Sequence, residues 1–195
     1  MAAGFKYDMN APEVVEEICD VQTLHHMRGA FRLNTTGLVV GTKLPRFTPV
    51  CVDIAKRTCE VVKNVKLVED AAADATSIKI AKNSLVYEGM ILGTGSKGAT
   101  VQKVDKSNAA YDVVTLAAAF GAKVAAGNVL FEASAAGGTT PKNTANYVIY
   151  EETKVEDGIV LVALIMRAFE IQEEKLTLPI SEKDKTGLTC RFQFV

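Results

Sequence analysis

A series of short strand-like segments between residues 75 and 133 constrains this 195-residue chain more than any other feature. Each segment is rich in apolar or β-branched residues and is bounded by Gly, Asn, Asp or Ser, as strands joined by turns are. No sustained 3.6-residue period interrupts them, which argues against βαβ units. The pattern predicts a mainly β protein, either a compact β-sandwich or a small β-barrel. The segments are residues 76–80, 90–92, 100–104, 111–116 and 128–132.

Residues 1–45 have a different character from the rest of the chain. Asn10 precedes an Ala-Pro-Glu sequence, which resembles a capped helix start, and Val14, Val15 and Ile18 form a short apolar stripe. We therefore predict a short N-terminal helix followed by an extended arm over 1–45. The β domain is predicted over 46–195, with an internal flexible loop at 134–145 because that stretch is small, polar and rich in Gly and Pro.

The sequence makes three further local predictions. Residues 50–54 and 59–62 are expected to pair as a hairpin around 55–58, so Cys51 and Cys59 either face each other as a disulfide or remain free thiols. The Ala-rich stretch 116–126 is predicted to hold a turn of helix. Residues 189–195 alternate as a half-buried strand with Cys190, Phe192 and Phe194 on one face.

No motif in the chain predicts a catalytic, cofactor-binding or metal-binding residue. Residues 93–98 match GxGxxG, but the residues that follow alternate like a strand, whereas dinucleotide binding needs a helix there. A hairpin loop is the better interpretation. His25 and His26 are adjacent, and the side chains of adjacent residues point in different directions on a strand or a helix. They are therefore poorly placed to share one metal ion. There is no CxxC pair for zinc and no GxSxG for a nucleophile.

Composition and charge narrow the classes of partner. Hydrophobic residues make up 48% of the chain, yet the longest apolar run, 159–166, is much shorter than the roughly 20 residues of a membrane helix. We expect no membrane partner, and we expect the surplus apolar surface to lie in the core or between the subunits of a homo-oligomer. The net charge of −1 disfavours nucleic acid as a partner. A basic segment forms either the solvated face of a hairpin or a contact with an acidic partner; its residues are Lys43, Arg46, Lys56, Arg57, Lys63 and Lys66.

Two regions together resemble a known family. They are the segment 37–68, which contains the sequence LPRFTPV at 44–50, and the Gly-punctuated β region that runs to Glu132. They are similar to the head fiber and capsid decoration proteins of tailed bacteriophages, in the version carried as prophage in Bacteroides-type genomes. Such proteins often carry a long helical or fibrous section, and this chain has neither a heptad run nor a collagen-like tract, so the resemblance implies a compact, base-like member.

The resemblance implies a non-catalytic structural virion protein, with no cofactor, attached to the outside of a phage capsid. It implies an oligomer, commonly a trimer, with the major capsid protein as partner and with residues 1–45 serving in attachment or oligomerisation. Because the N-terminus has no apolar signal-peptide region, synthesis in the bacterial cytoplasm is expected. The alternative is a β-rich binding or adaptor module that recognises a carbohydrate, a peptide or another phage structural protein.

Overall fold

The computed structural model describes residues 17–195. It is mainly β, with 42% strand and 7% helix, and its large sheets are curled. The predicted fold class is confirmed. Two large sheets and one two-stranded sheet hold the strands, and three clusters of buried apolar side chains form the core.

The first sheet has eight strands, which come from both ends of the described chain. Its strand order is β1-β15-β12-β4-β5-β2-β14, and β16 also pairs with β15. All these pairs are antiparallel except β2 with β5 and β15 with β16. The strands are β1 Asp20–His26, β2 Phe31–Asn34, β4 Pro49–Asp53, β5 Thr58–Val61, β12 Tyr147–Ile149, β14 Val160–Val162, β15 Leu164–Ile171 and β16 Phe192–Phe194.

The second sheet has six strands in the order β6-β11-β8-β9-β10-β7. Its two end strands meet, because Leu67 forms a β-bridge with Ile80 and the N–H of Val68 donates to the carbonyl of Lys79 at 3.0 Å. The sheet therefore closes on itself as a small barrel. Its strands are β6 Asn64–Lys66, β7 Ser77–Ala81, β8 Ile91–Gly93, β9 Gly98–Asp105, β10 Tyr111–Leu116 and β11 Val129–Glu132.

The barrel closes around apolar side chains because its strands alternate between inward and outward positions. In β7, for example, Ile78 and Ile80 are buried while Lys79 between them is partly exposed. This period of two is what a strand with one core face requires. Similar alternation in β10 buries Val114 and Leu116, and one apolar cluster fills the interior.

The barrel is a continuous insertion in the chain. β5 belongs to the first sheet, β6 to β11 belong to the barrel, and β12 returns to the first sheet. The entry and exit lie side by side, since Asn64 in the first barrel strand pairs with Phe131 in the last. Adjacent ends allow one folded unit to be inserted into another without opening either.

Short elements complete the fold. A two-stranded sheet pairs β3 Lys43–Leu44 with β13 Thr153–Lys154. Near the C-terminus lies a 3-10 helix over Glu173–Lys175, then the helix α1 over Glu182–Leu188 and a second 3-10 helix over Thr189–Arg191. Helix α1 starts with a capping box, in which Ser181 and Asp184 each bind the other's backbone N–H.

The structure confirms the predicted hairpin but separates its cysteines. β4 and β5 are antiparallel, with Cys51 opposite Glu60 and Val52 opposite Cys59. Because side chains alternate across a strand, this register places the two cysteines on opposite faces of the sheet. Both thiols are free, and Cys59 is buried. The interpretation that they face each other is therefore wrong.

The outcomes of four other local predictions differ. Residues 116–126 contain no helix; they form turns that bridge back to the barrel, with Val124 opposite Ala71. The predicted C-terminal strand is shorter than expected, because residues Thr189–Arg191 are helical and only β16 is a strand. Most of the predicted N-terminal helix lies outside the described residues. Of the predicted arm, residues 20–44 contribute β1, β2 and β3, and each of these pairs with a strand of the β domain.

Candidate partner-binding surfaces

The outer face of the first sheet is polar because β2, β4 and β5 alternate in phase. Their inward residues belong to a buried cluster. Their outward residues form cross-strand rows, since Arg32 lies opposite Thr58 and Asn34 lies opposite Glu60, and since Asp53 also lies opposite Thr58. These rows place a guanidinium, two carboxylates and a hydroxyl on one surface.

A groove of about 570 Å³ runs over this face. At one end Asp53 is held by the hairpin turn: the N–H of Lys56 donates to its Oδ1 at 3.1 Å, and Lys56 Nζ lies 3.1 Å from Oδ2. The hydrogen bond from this N–H is the main reason that the pKa of Asp53 is lowered, so the groove keeps a negative charge at neutral pH. The groove is lined by Arg32, Leu33, Asn34, Thr35, Thr36, Cys51, Val52, Asp53, Thr58, Cys59, Glu60 and Gly158.

A second cleft, of about 530 Å³, lies where the barrel meets the first sheet. One wall is the loop that leads into β3, and the other is the barrel loop 83–87. Lys43 and Glu152 form an ion pair of 2.9 Å between exposed side chains beside it. The hydroxyl of Ser84 is buried and has no hydrogen-bond partner among residues 17–195. Clefts between structural units are common binding sites in proteins.

Beside this cleft, four polar side chains hold the junction between barrel and sheet. Glu132 is buried at the end of β11, and its Oε1 accepts hydrogen bonds from Tyr87 Oη at 2.6 Å and Lys142 Nζ at 3.0 Å. Lys63, which is 7% exposed, lies with its Nζ 4.4 Å from the centre of the Tyr87 ring. Burial lowers the pKa of Lys63, and burial together with the hydrogen bond to Glu132 raises the pKa of Tyr87 to about 12.

The structure distributes the six predicted basic contact residues over three places. Lys43 lies in β3 beside the second cleft, and Arg46 follows it, with its guanidinium 5.5 Å from the Tyr150 ring. Lys56 and Arg57 lie in the β4–β5 turn, where Arg57 stacks 4.5 Å over the ring of Phe31. The remaining two belong to the barrel entry: Lys63 is buried there and Lys66 is exposed at the end of β6. A partner contact at these residues stays a prediction.

The two histidines lie on the edge strand β1. His25 is opposite Arg167, and its Nε2 lies 2.6 Å from Arg167 Nη2. His26 stacks at a tilt against Tyr150, with 5.2 Å between ring centres. Within the described part of the chain, no group of three or more His, Cys, Asp or Glu side chains is arranged to hold a metal ion.

The GxGxxG stretch is the hairpin loop between β8 and β9, as predicted. The predicted flexible loop lies against it: the N–H of Gly95 donates to the carbonyl of Gly138 at 3.0 Å. A Cβ atom on Gly138 would lie only 2.1 Å from the carbonyl oxygen of Lys97. Glycine at this position therefore allows the two backbones to touch.

Sequence reasoning missed α1 and the buried carboxylate it carries. Asp184 Oδ1 accepts from the N–H of Ala145 at 2.8 Å, and Oδ2 accepts from Asn64 Nδ2 at 2.7 Å. The Ser181 hydroxyl also donates to Oδ2. The available signal was Ser181 three residues before an acidic residue, which is a capping-box pattern.

None of the helices within residues 17–195 has the length and apolar character needed to cross a membrane.

Comparison with known proteins assigns the family. No curated protein matches the chain, and no solved structure matches it. The model of the head fiber protein family matches residues 1–193, so the chain belongs to this family of structural phage virion proteins.

Proposed function

We propose that this chain is a non-catalytic protein attached to the exterior of a phage capsid, where it is present as an oligomer and binds the major capsid protein. The observation that carries the proposal is the family match over residues 1–193. A protein of the head is assembled from folded subunits and needs surfaces for its neighbours rather than a reaction centre.

The surface of the molecule supports a role in assembly. Large aliphatic side chains are exposed at several places, among them Val39, Val40, Ile159 and Leu161. Exposed apolar groups of this kind are commonly covered by partners in an assembly. The first two lie in the loop at the second cleft, and the other two lie in and beside β14.

The exposed members of the basic segment are the candidate capsid contacts. Lys43, Lys56 and Lys66 have exposed side chains, so an acidic capsid surface can reach them without refolding of the subunit. Salt weakens the attraction between exposed charges, and at 0.1 M ionic strength this attraction decays over a distance of about 10 Å. Attachment through these lysines is therefore expected to weaken as salt is raised.

The test is to add purified protein to capsids that lack it and to measure the bound fraction after sedimentation. We expect saturable binding by the wild-type protein and weaker binding by the triple variant Lys43→Glu/Lys56→Glu/Lys66→Glu. The matched control is Lys103→Glu, which reverses the charge of an exposed lysine on the barrel strand β9. Failure of the wild-type protein to bind would refute capsid attachment, and equal binding of all variants would refute the basic contact.

The oligomer is tested separately by light scattering of the purified protein. The trimer implied by the family resemblance predicts three times the chain mass of 20.9 kDa, or six times that mass if trimers also pair. A monomer across micromolar concentrations would refute self-association. Saturable binding to a glycan or peptide without capsid binding would favour the alternative role as an adaptor.

A further inference from the structure

Two end strands of the first sheet, β1 and β14, differ in how regularly they pair with their neighbours. β1 forms one edge, and its pairing with β15 shifts register between Asp20 and His25 and again before His26. Such bulges disturb the regular row of backbone groups and protect an edge from pairing with another chain. β14 forms the other edge, and its pairing with β2 is regular over all three residues. The β14 edge therefore lacks the irregularity that protects β1.

Exposed aliphatic side chains lie in β14 and directly before it. Ile159 is 70% exposed and Leu161 is 59% exposed, while Val160 and Val162 are buried. The alternation places Ile159 and Leu161 on the outer face of the sheet, and Leu161 lies directly opposite Arg32 of β2. Among residues 17–195, β14 pairs only with β2. Such an edge, with an apolar outer face, is a surface suited to strand addition.

The charges around this edge are separated along the strand. Exposed Glu156 and Asp157 precede it in the chain, separated from it by Gly158 and Ile159. Near its other end lie Arg32, opposite Leu161, and Arg57, whose guanidinium stacks on Phe31 opposite Val162. The edge is therefore acidic at its N-terminal end and basic at its C-terminal end. A second strand with the same polarity fits it only in antiparallel orientation, because parallel pairing would bring like charges together.

We propose that β14 pairs antiparallel with β14 of a second copy of this chain about a two-fold axis, with Val160 opposite Val160 of the second copy. In this register Ile159 of each copy lies opposite Leu161 of the other, so the exposed aliphatic side chains cover one another. Glu156 and Asp157 of each copy, which a bend at Gly158 separates from the strand, then lie towards the C-terminal end of the other copy's β14, where Arg32 and Arg57 are found. The edge is complementary to itself in both hydrophobicity and charge, as an isologous interface requires.

The pairing joins the two first sheets into one continuous sheet and leaves both barrels outside the contact. A two-fold contact gives dimers by itself. If three copies also associate through another surface, the same contact links trimers in pairs. The pairing does not depend on capsid attachment, so the two properties are tested by different measurements.

The test is sedimentation velocity of the full chain over a wide micromolar range. We expect Leu161→Lys and Ile159→Lys each to weaken the two-fold association at least about tenfold, because each inserts a charge into an apolar cross-strand pair. The matched control is Val21→Lys, which changes a valine of similar exposure on the edge strand β1 and is expected to leave the β14 association unchanged. Because both β14 side chains are exposed, folding is expected to be retained, and circular dichroism checks it.

A charge-swap experiment tests the register. Arg32→Asp and Asp157→Arg are each expected to weaken association, and the double variant Arg32→Asp/Asp157→Arg is expected to restore it, since the swapped charges again meet opposite partners. A wild-type protein without even-numbered oligomers would overturn the proposal. The proposal would also be overturned by an oligomer that neither lysine variant weakens. It would be overturned as well by a double variant that associates as weakly as the two single variants. A wild-type protein that is monomeric and still binds capsids would overturn the edge pairing and leave capsid attachment intact.

Discussion

Asn64 Nδ2 donates a hydrogen bond to Asp184 Oδ2 at 2.7 Å, and this contact joins the first strand of the barrel to the C-terminal helix α1. Asp184 is 1% exposed. Its other oxygen accepts from the N–H of Ala145 in the chain segment that leaves the barrel. A buried carboxylate is tolerated when several donors replace water. Asp184 thus fixes the entry to the barrel, the exit from it and the helix to one another.

Replacing Asp184 with Ala should therefore destabilise the protein strongly. The substitution removes the acceptor of the N–H of Ala145 and of the N–H and hydroxyl of Ser181, and it leaves the Asn64 amide with the Pro179 carbonyl as its remaining acceptor. We expect a loss of about 3 kcal/mol in the free energy of unfolding. Chemical denaturation measures it. Lys183→Ala, an exposed change in the same helix, is the control and should stay within about 0.5 kcal/mol of wild type. Equal effects of the two variants would refute the role of the carboxylate.

The contact between the Gly138 loop and the 93–98 hairpin predicts a difference between two glycines. Gly138 and Gly127 both have positive φ, but only Gly138 has a neighbour that a Cβ atom would strike. We expect Gly127→Ala to cost about 1 kcal/mol from backbone conformation alone. Gly138→Ala should cost at least about 2 kcal/mol more, because backbone must move. Thermal unfolding of the two variants measures the difference, and equal losses would count against close packing of the loop.

Tyr87 predicts a loss of stability at alkaline pH. Its phenol has a pKa near 10.0 in the unfolded chain, whereas burial and the hydrogen bond to Glu132 raise the pKa of Tyr87 to about 12 in the fold. Between these values the folded state holds a proton that the unfolded state has lost. The stability from this group is thus fully present below pH 10 and is lost as the pH rises towards 12.

Denaturation at several pH values between 10 and 12 tests this prediction. We expect the free energy of unfolding to fall less steeply with pH in Tyr87→Phe than in the wild type. Some dependence of stability on pH remains in Tyr87→Phe, because burial also raises the pKa of Cys59 to about 12. The thiol of Cys59 therefore also makes the free energy of unfolding fall as the pH rises. Tyr111→Phe is the matched control, since Tyr111 lies on the outside of the barrel against Lys79. An unchanged slope in Tyr87→Phe would contradict the assignment.

The cysteines predict a single fast reaction with a thiol reagent. Cys190 is exposed and Cys19 and Cys59 are buried, while Cys51 is partly buried. Burial raises the pKa of Cys51, which lowers the population of its reactive thiolate. We expect one thiol per chain to react quickly under native conditions, and Cys190→Ser to abolish this phase. Two fast thiols in the wild type would show that Cys51 is more accessible than its position in β4 implies.

The sequence predicted those features that depend on neighbouring residues. The β4–β5 hairpin follows from two β-rich segments around a four-residue turn, and the β8–β9 loop follows from a strand after the GxGxxG match. The expectation that Cys51 and Cys59 face each other was wrong. Which residues lie opposite each other in a hairpin depends on the turn and on the face that is buried, and a shift of one residue moves a side chain to the other face of the sheet. The helix α1 was missed because it is only seven residues long, which is too short to show a helical period.

By itself the sequence determined the mainly β class, the placement of most barrel strands and the head fiber resemblance that the family match confirms. These depend on alternation and turn residues, which are local. Only the tertiary structure decided that residues 64–132 close into an inserted barrel, that Asp184 meets Asn64, and that β1 and β14 lie at opposite ends of the strand order of the first sheet. Such relations join residues far apart in the chain, and they arise from burial and backbone pairing that no short window of sequence contains.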